Sequence, residues 1–199
     1  MIVPNISTED LKKLPLRAIV ALGARCARRV ESLIVLPDGL EARDKCRTTI
    51  DGAIHLAEDF ARGSPCRDVR TVIGDVEACR TIAEGDYPRE TAMAVVVWTA
   101  HAAAAALEAT GLRDEPAEVS VTGMRQPNPF PQLANVAADL AARDAFTAAV
   151  DAAGAAGHAD QFTKSAVEDY QALLKLELGR YPDAGEPIDP SPAGPLGEL

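Results

Sequence analysis

Apolar residues recur at helical spacing through most of this chain. Between Pro15 and Leu36, the residues Leu16, Ile19, Val20, Gly23, Ala27, Val30 and Ile34 fall on one stripe at about 100° per residue, while Arg17, Arg25, Arg28 and Arg29 cluster on the other side. The pattern predicts one two-faced helix, opened by Pro15 and stopped before Pro37 by the turn Asp38-Gly39. Ahead of it, Ser7 with Glu9 and Asp10 predicts a short capped turn from Thr8 to Lys13. A second helix is expected from Glu41 to Arg62, with Cys46, Ile50, Ala53, Ile54, Ala57 and Ala61 as its core stripe. Gly63 ends it, and Ser64-Pro65 reads as cap and first residue of a third helix carrying Val69, Val72, Ile73, Val76, Cys79 and Ile82 and ending near Gly85.

The fourth helix, Tyr87 to Thr110, is almost wholly apolar between Ala92 and Leu107, the pattern of a helix surrounded by others. Gly111 to Gln126 reads as a loop in which Glu118 to Thr122 is a candidate short strand. Asn128-Pro129 starts a fifth helix to about Ala153, and a Gly154 to Gly157 turn leads to a sixth, Asp160 to Leu178, with Phe162, Ala166, Tyr170, Leu173 and Leu174 facing in. The class is therefore all-α, a compact antiparallel bundle of five or six helices. Residues 1–181 form one domain, and the proline-rich segment 182–199 is expected to drape over it or stay loose. Ile19, Val30, Ile54, Ile73, Val96, Trp98 and Leu173 are expected in the core.

Composition sharpens this picture. Hydrophobic residues make up 47 % of 199 residues but aromatics only 4 %, so alanine-rich helices that approach closely through small side chains are favoured over sheet. The net charge is −10, which argues against bulk nucleic-acid binding. Yet Lys12, Lys13, Arg17, Arg25, Arg28 and Arg29 stand between Leu11 and Val30 with no acid among them, so charge is segregated along the chain. The N-terminal residues do not read as a targeting peptide, and the run Ala92 to Leu107 reads as too short and too alanine-rich to span a bilayer. Cys26, Cys46, Cys66 and Cys79 contain no C-x-x-C pair. The expectation is a cytoplasmic protein with reduced thiols and no membrane contact.

Several stretches carry a resemblance. They are Leu14-Pro15-Leu16-Arg17-Ala18 with Ala24-Arg25-Cys26-Ala27-Arg28-Arg29-Val30, then Leu56-Ala57-Glu58-Asp59-Phe60-Ala61 running into Gly63-Ser64-Pro65-Cys66. Asp144-Ala145-Phe146-Thr147-Ala148 and the run Tyr181-Pro182 with Pro187-Ile188-Asp189-Pro190-Ser191-Pro192 complete the set. Together they resemble a family of uncharacterised bacterial hypothetical proteins. The resemblance implies that the C-terminal segment belongs with the domain, and it transfers no catalytic residue.

Candidate chemistry is sparse. Asp51, His55 and Asp59 recur every four residues with Glu58 adjacent, a spacing that could stack metal ligands on one helix face, although the paired Glu-x-x-His motifs of di-iron bundles are absent. A solvated face is the commoner outcome of such spacing, and no metal or cofactor is assigned. His101, one turn from Trp98, is a candidate general base, against the commoner reading of a hydrogen-bonded structural histidine. Cys26 lies among arginines that could stabilise its thiolate, but also at the edge of an apolar stripe, where an inert thiol is commoner. Arg17, Arg25, Arg28 and Arg29 are the candidate binding residues. Their face fits internal pairing with acids such as Glu58, Asp59, Asp75 and Glu77, a protein partner or small anion, or, least of all, nucleic acid. The function expected is a non-catalytic helical interaction or scaffold protein, with a protein partner or as a homo-oligomer. The alternative is a small metal-binding or hydrolytic enzyme centred on His55 or His101.

Overall fold

Ser7 opens the helical part of the chain, and a computed structural model describes residues 6–36, 43–66, 68–83, 86–111 and 131–198. The Ser7 side chain accepts from the Asp10 backbone and Asp10 returns the bond to Ser7, a capping box that starts helix α1, Thr8–Leu11. Pro15 then caps α2, Leu16–Val30. The helix expected to reach Leu36 stops at Val30 and tightens into a 3-10 turn, Glu31–Leu33. The stretch ahead of Pro37 is thus already irregular, as the proline's steric demand on its predecessors favours. Helix α3, Arg43–Arg62, follows, and its expected stripe of Cys46, Ile50, Ala53, Ile54, Ala57 and Ala61 is buried throughout.

Gly63 ends α3 with φ +71°, the left-handed conformation that favours glycine. Helix α4 spans Val69–Ala83, so it opens four residues beyond Pro65, and the buried thiol of Cys66 faces the carbonyls of Leu56 and Ser64. Helix α5, Tyr87–Thr110, has the expected bounds; it begins at the Asp86 cap and ends on Gly111 in the left-handed conformation. Helices α6, Pro131–Ala155, and α7, Ala159–Lys175, complete the set. All described regular structure is helical. The expected turn Asp38-Gly39, the start at Glu41, the candidate strand Glu118 to Thr122 and the Asn128-Pro129 helix start lie outside the described residues.

Cross-contacts fix the directions of the helices. Arg28, late in α2, meets Asp51 and Glu58 of α3, while Arg17 at the start of α2 lies beside Gly63 just after α3, so the pair runs antiparallel. Cys46 near the start of α3 touches Cys79 near the end of α4, which reverses direction again. The Thr99 hydroxyl donates to the Gly23 carbonyl, and Arg89 reaches the Val35 carbonyl beyond α2, making α5 antiparallel to α2 as well. Helix α2 packs against α3, α5, α6 and α7 together. This explains why burial extends beyond the apolar stripe: Ala18, Ala21, Ala24 and Arg25 are also covered. The two-faced helix of the sequence pattern is in fact a central one.

Helix α5 is covered by α2, α3, α4 and α6. Its stretch Arg89–Thr110 is long and apolar enough to cross a membrane by length and composition, longer than the apolar run alone suggests, and most of it is buried within the bundle. Of the expected core, Ile19, Val30, Ile54, Val96 and Leu173 are buried, whereas Ile73 and Trp98 are only partly covered at the edge of the cluster. Those two lie on the α4–α5 flank, where no further helix is packed against α4 among the described residues.

The residues after α7 close over the start of α2. Pro15 offers no side-chain cap, and the backbone N–H groups of Leu16 and Arg17 donate instead to the carbonyls of Asp183 and Ala184, each at 2.9 Å. The Ile188 N–H donates to the Ala61 carbonyl at 2.8 Å, near the end of α3, and the Ile188 side chain is buried. One extended segment therefore satisfies orphan groups at two helix ends.

Candidate functional site

The four arginines of α2 divide between two neighbourhoods. Arg25 is the largest fully buried side chain among the described residues, 1 % exposed. Its Nε donates to Asp169 Oδ2 at 2.8 Å, Nη1 to the carbonyls of Pro190 and Gly197, and Nη2 to those of Leu196 and Glu198. All five N–H donors of the guanidinium are thereby engaged, as a buried arginine requires. Arg29 Nη1 approaches the same Asp169 oxygen at 2.6 Å. Two guanidiniums thus share one buried carboxylate, and the excess positive charge at Arg25 is met by four backbone carbonyl dipoles. Arg17 adds a bond to the Gly185 carbonyl at 2.8 Å. Arg62 of α3 pairs with Asp189 at 3.0 Å, and Asp189 accepts from the Ser191 backbone and hydroxyl, which holds its carboxyl below the ordinary range.

Arg28 points the other way, onto α3. It bonds Glu58 through Nε at 2.8 Å, Asp51 through Nη1 at 2.7 Å and Glu31 at 3.2 Å, and Nη2 lies 3.4 Å from His55 Nε2. Burial works against the charge on Arg28, but the bonds to Glu58 and Asp51 outweigh it and hold the guanidinium firmly protonated. The bond from Arg28 in turn lowers the Asp51 carboxyl from its usual value. His55 Nδ1 lies 2.9 Å from Glu58.

The expected alignment of Asp51, His55 and Asp59 is therefore changed in one member. Glu58, one residue earlier, joins Asp51 and His55, while Asp59 lies 3.6 Å from Arg62 instead. The reason is rotational, since the surface facing Arg28 is the i, i+4, i+7 row of α3. An arginine occupies the point where these ligands converge. Among the described residues no group of three or more His, Cys, Asp or Glu side chains is arranged to hold a metal ion.

His101 meets Glu77 of α4 at 2.8 Å and stacks obliquely against Trp98 at 5.9 Å, with its side chain about one-third exposed. This histidine ties two helices together at the bundle surface. The Cys26 thiol is pushed up to about 12, because complete burial outweighs the pull of Arg29 and Arg25, so the flanking arginines do not activate it.

Sequence reasoning gave Arg28 one of its acids, Glu58, but did not find Asp169. A signal for it exists. Phe162, Ala166, Asp169 and Leu173 share the inward stripe of α7, so an acid stands on an otherwise apolar face and calls for a buried cation. The carbonyls of residues 190–198 gave no comparable signal, because every residue carries one.

Beside the Arg28 cluster lies an open cleft of about 450 Å³ between the end of α2 and the start of α3, lined in part by Glu31, Ile34, Val35, Arg47 and Ile50. Val35 is 67 % exposed there. No family model matches this chain, and neither a curated protein nor a solved structure matches it.

Proposed function

We propose that this chain is a non-catalytic helical protein-interaction or scaffold protein that engages a protein partner, or a second copy of itself, through the cleft where α2 meets α3. The observation that carries this reading is the composition of that cleft. Exposed Val35 and the neighbouring Ile34 form an apolar centre, and Arg28, Glu31, Arg47 and Asp51 form a charged rim. The side chains best suited to chemistry support it from the other direction, since His55 and His101 lie against carboxylates of neighbouring residues and Cys26 is buried. Of the four α2 arginines, Arg28 is the one bonded to side chains that reach solvent, with Asp51 and His55 each about half exposed, whereas Arg25 and Arg29 share the buried Asp169. Arg17, Arg25 and Arg29 serve the reading by rigidifying the helix that presents Arg28.

Light scattering on the eluting protein, with cross-linking mass spectrometry on a lysate, tests the proposal. The expected result is a defined complex or oligomer with cross-links around residues 31–36 and 43–51, weakened by Val35→Glu at unchanged melting temperature. A monomer without partners that retains stoichiometric metal in wild type, and loses it in His55→Ala, would replace this reading with the metal-enzyme one.

A further inference from the structure

Cys46 and Cys79 are 33 positions apart in sequence and lie on different antiparallel helices, yet their sulfurs are 2.8 Å apart. Non-bonded carbon atoms reach their optimum only at about 3.5–4.0 Å, and sulfur is larger, so this is closer than two unlinked thiols rest comfortably. A disulfide is about 2.0 Å long, so the sulfurs need to approach by less than 1 Å from their separation of 2.8 Å. Both residues are free thiols in the structure and both are buried, 2 % and 6 % exposed. The other two cysteines are held elsewhere: Cys26 is buried on α2, and Cys66 faces the Leu56 and Ser64 carbonyls. We propose that Cys46 and Cys79 are a disulfide site that closes on exposure to a low-molecular-weight disulfide and staples the start of α3 to the end of α4.

The chemistry balances as thiol–disulfide exchange. One cysteine, deprotonated, attacks the small disulfide, forming a mixed disulfide and expelling one small thiolate. The second cysteine then attacks the protein sulfur of that mixed disulfide, expelling the second small thiolate. The two cysteine thiols are oxidised, the small disulfide is reduced to two thiols, and the protons released by the cysteines end on those thiols. The Cys79 thiol is pushed up to about 12 by burial and by the hydrogen bond with Cys46, so Cys79 holds little thiolate at rest. Closure is therefore slow in the folded state and accelerates when the end of α4 opens.

The folded chain, incubated with oxidised glutathione, is then alkylated under denaturing conditions and mapped by mass spectrometry. The expected product is lighter by two hydrogen atoms, with the Cys46 and Cys79 peptides linked and Cys26 and Cys66 alkylated. Its melting temperature should rise by about 10 °C relative to the reduced chain, and no such rise should occur in Cys79→Ser. Cys46 and Cys79 both recovered as alkylated thiols, a stable glutathione adduct on either, or a linkage involving Cys26 or Cys66 would overturn the proposal, and the mapping of wild type decides it even if the variant folds poorly.

Discussion

Asp169 is the residue on which two buried cations depend. Arg25 and Arg29 both reach its Oδ2, and its own side chain is almost fully covered. Removing one partner of a buried ion pair leaves a charge without compensation, which costs about 3–5 kcal/mol. Asp169→Ala should therefore lower the urea midpoint by an amount of that size, more than Arg28→Ala, after which Asp51 and Glu31 can turn to water and the buried Glu58 keeps His55 and Arg62 beside it. Asp139 presents the opposite case. It is 1 % exposed, its Oδ1 has no hydrogen-bond partner, and burial raises its carboxyl above the usual value. A folded value raised above the unfolded one means that its contribution is fully favourable below the unfolded range, near pH 3.9, and is lost as pH rises through the folded value. Asp139→Asn should accordingly raise the midpoint at pH 7, and the gain should shrink towards zero as pH falls below about 4. A gain independent of pH would assign the effect to packing instead.

At the scale of elements, two glycines in and beside α2 behave differently. A methyl group at Gly23 would meet the Thr99 side chain at 3.6 Å, an ordinary contact, so α2 and α5 leave room for it. Gly23→Ala should be neutral or stabilise by up to about 1 kcal/mol, because alanine orders a helix at lower entropic cost. Gly185 has φ +80°, and a methyl there would lie 2.5 Å from Pro15 and 2.8 Å from the Leu178 carbonyl. Gly185→Ala should cost more than the roughly 1–2 kcal/mol of a left-handed backbone alone, and hydrogen exchange at the Leu16 and Arg17 amides should accelerate as the segment lifts.

The same contrast shows what was legible in the sequence. The Tyr87–Thr110 helix announces itself through its apolar run from Ala92 to Leu107 and the loop that begins at Gly111, and the α3 stripe through its period. The end of α2 at Val30 was hidden, because the apolar period continues through Ile34 while the backbone tightens. The surroundings of Arg25 were hidden for a different reason. Its partners are mostly main-chain carbonyls, and no side-chain pattern encodes where an extended segment will lie.

For the molecule as a whole, stability rests on one continuous cluster that joins every helix and includes Ile188 from beyond α7. Ile54, fully buried at the middle of α3, samples that cluster. Ile54→Ala should lower stability by about 2–5 kcal/mol in thermal or urea unfolding, and an unchanged midpoint would show that α3 contributes little to the common core. The carbonyls that hold Arg25 come from residues 165 to 173 positions later in the chain. During synthesis, therefore, the central helix is made early and its buried cation waits, unsheltered, until nearly all of this sequence has been translated. Closing so long a loop is slow compared with the zipping of neighbouring helices. Pulse-labelled hydrogen exchange should therefore find the amides of α3 and α5 protected before those of Leu16 and Arg17, which bond to residues 183 and 184.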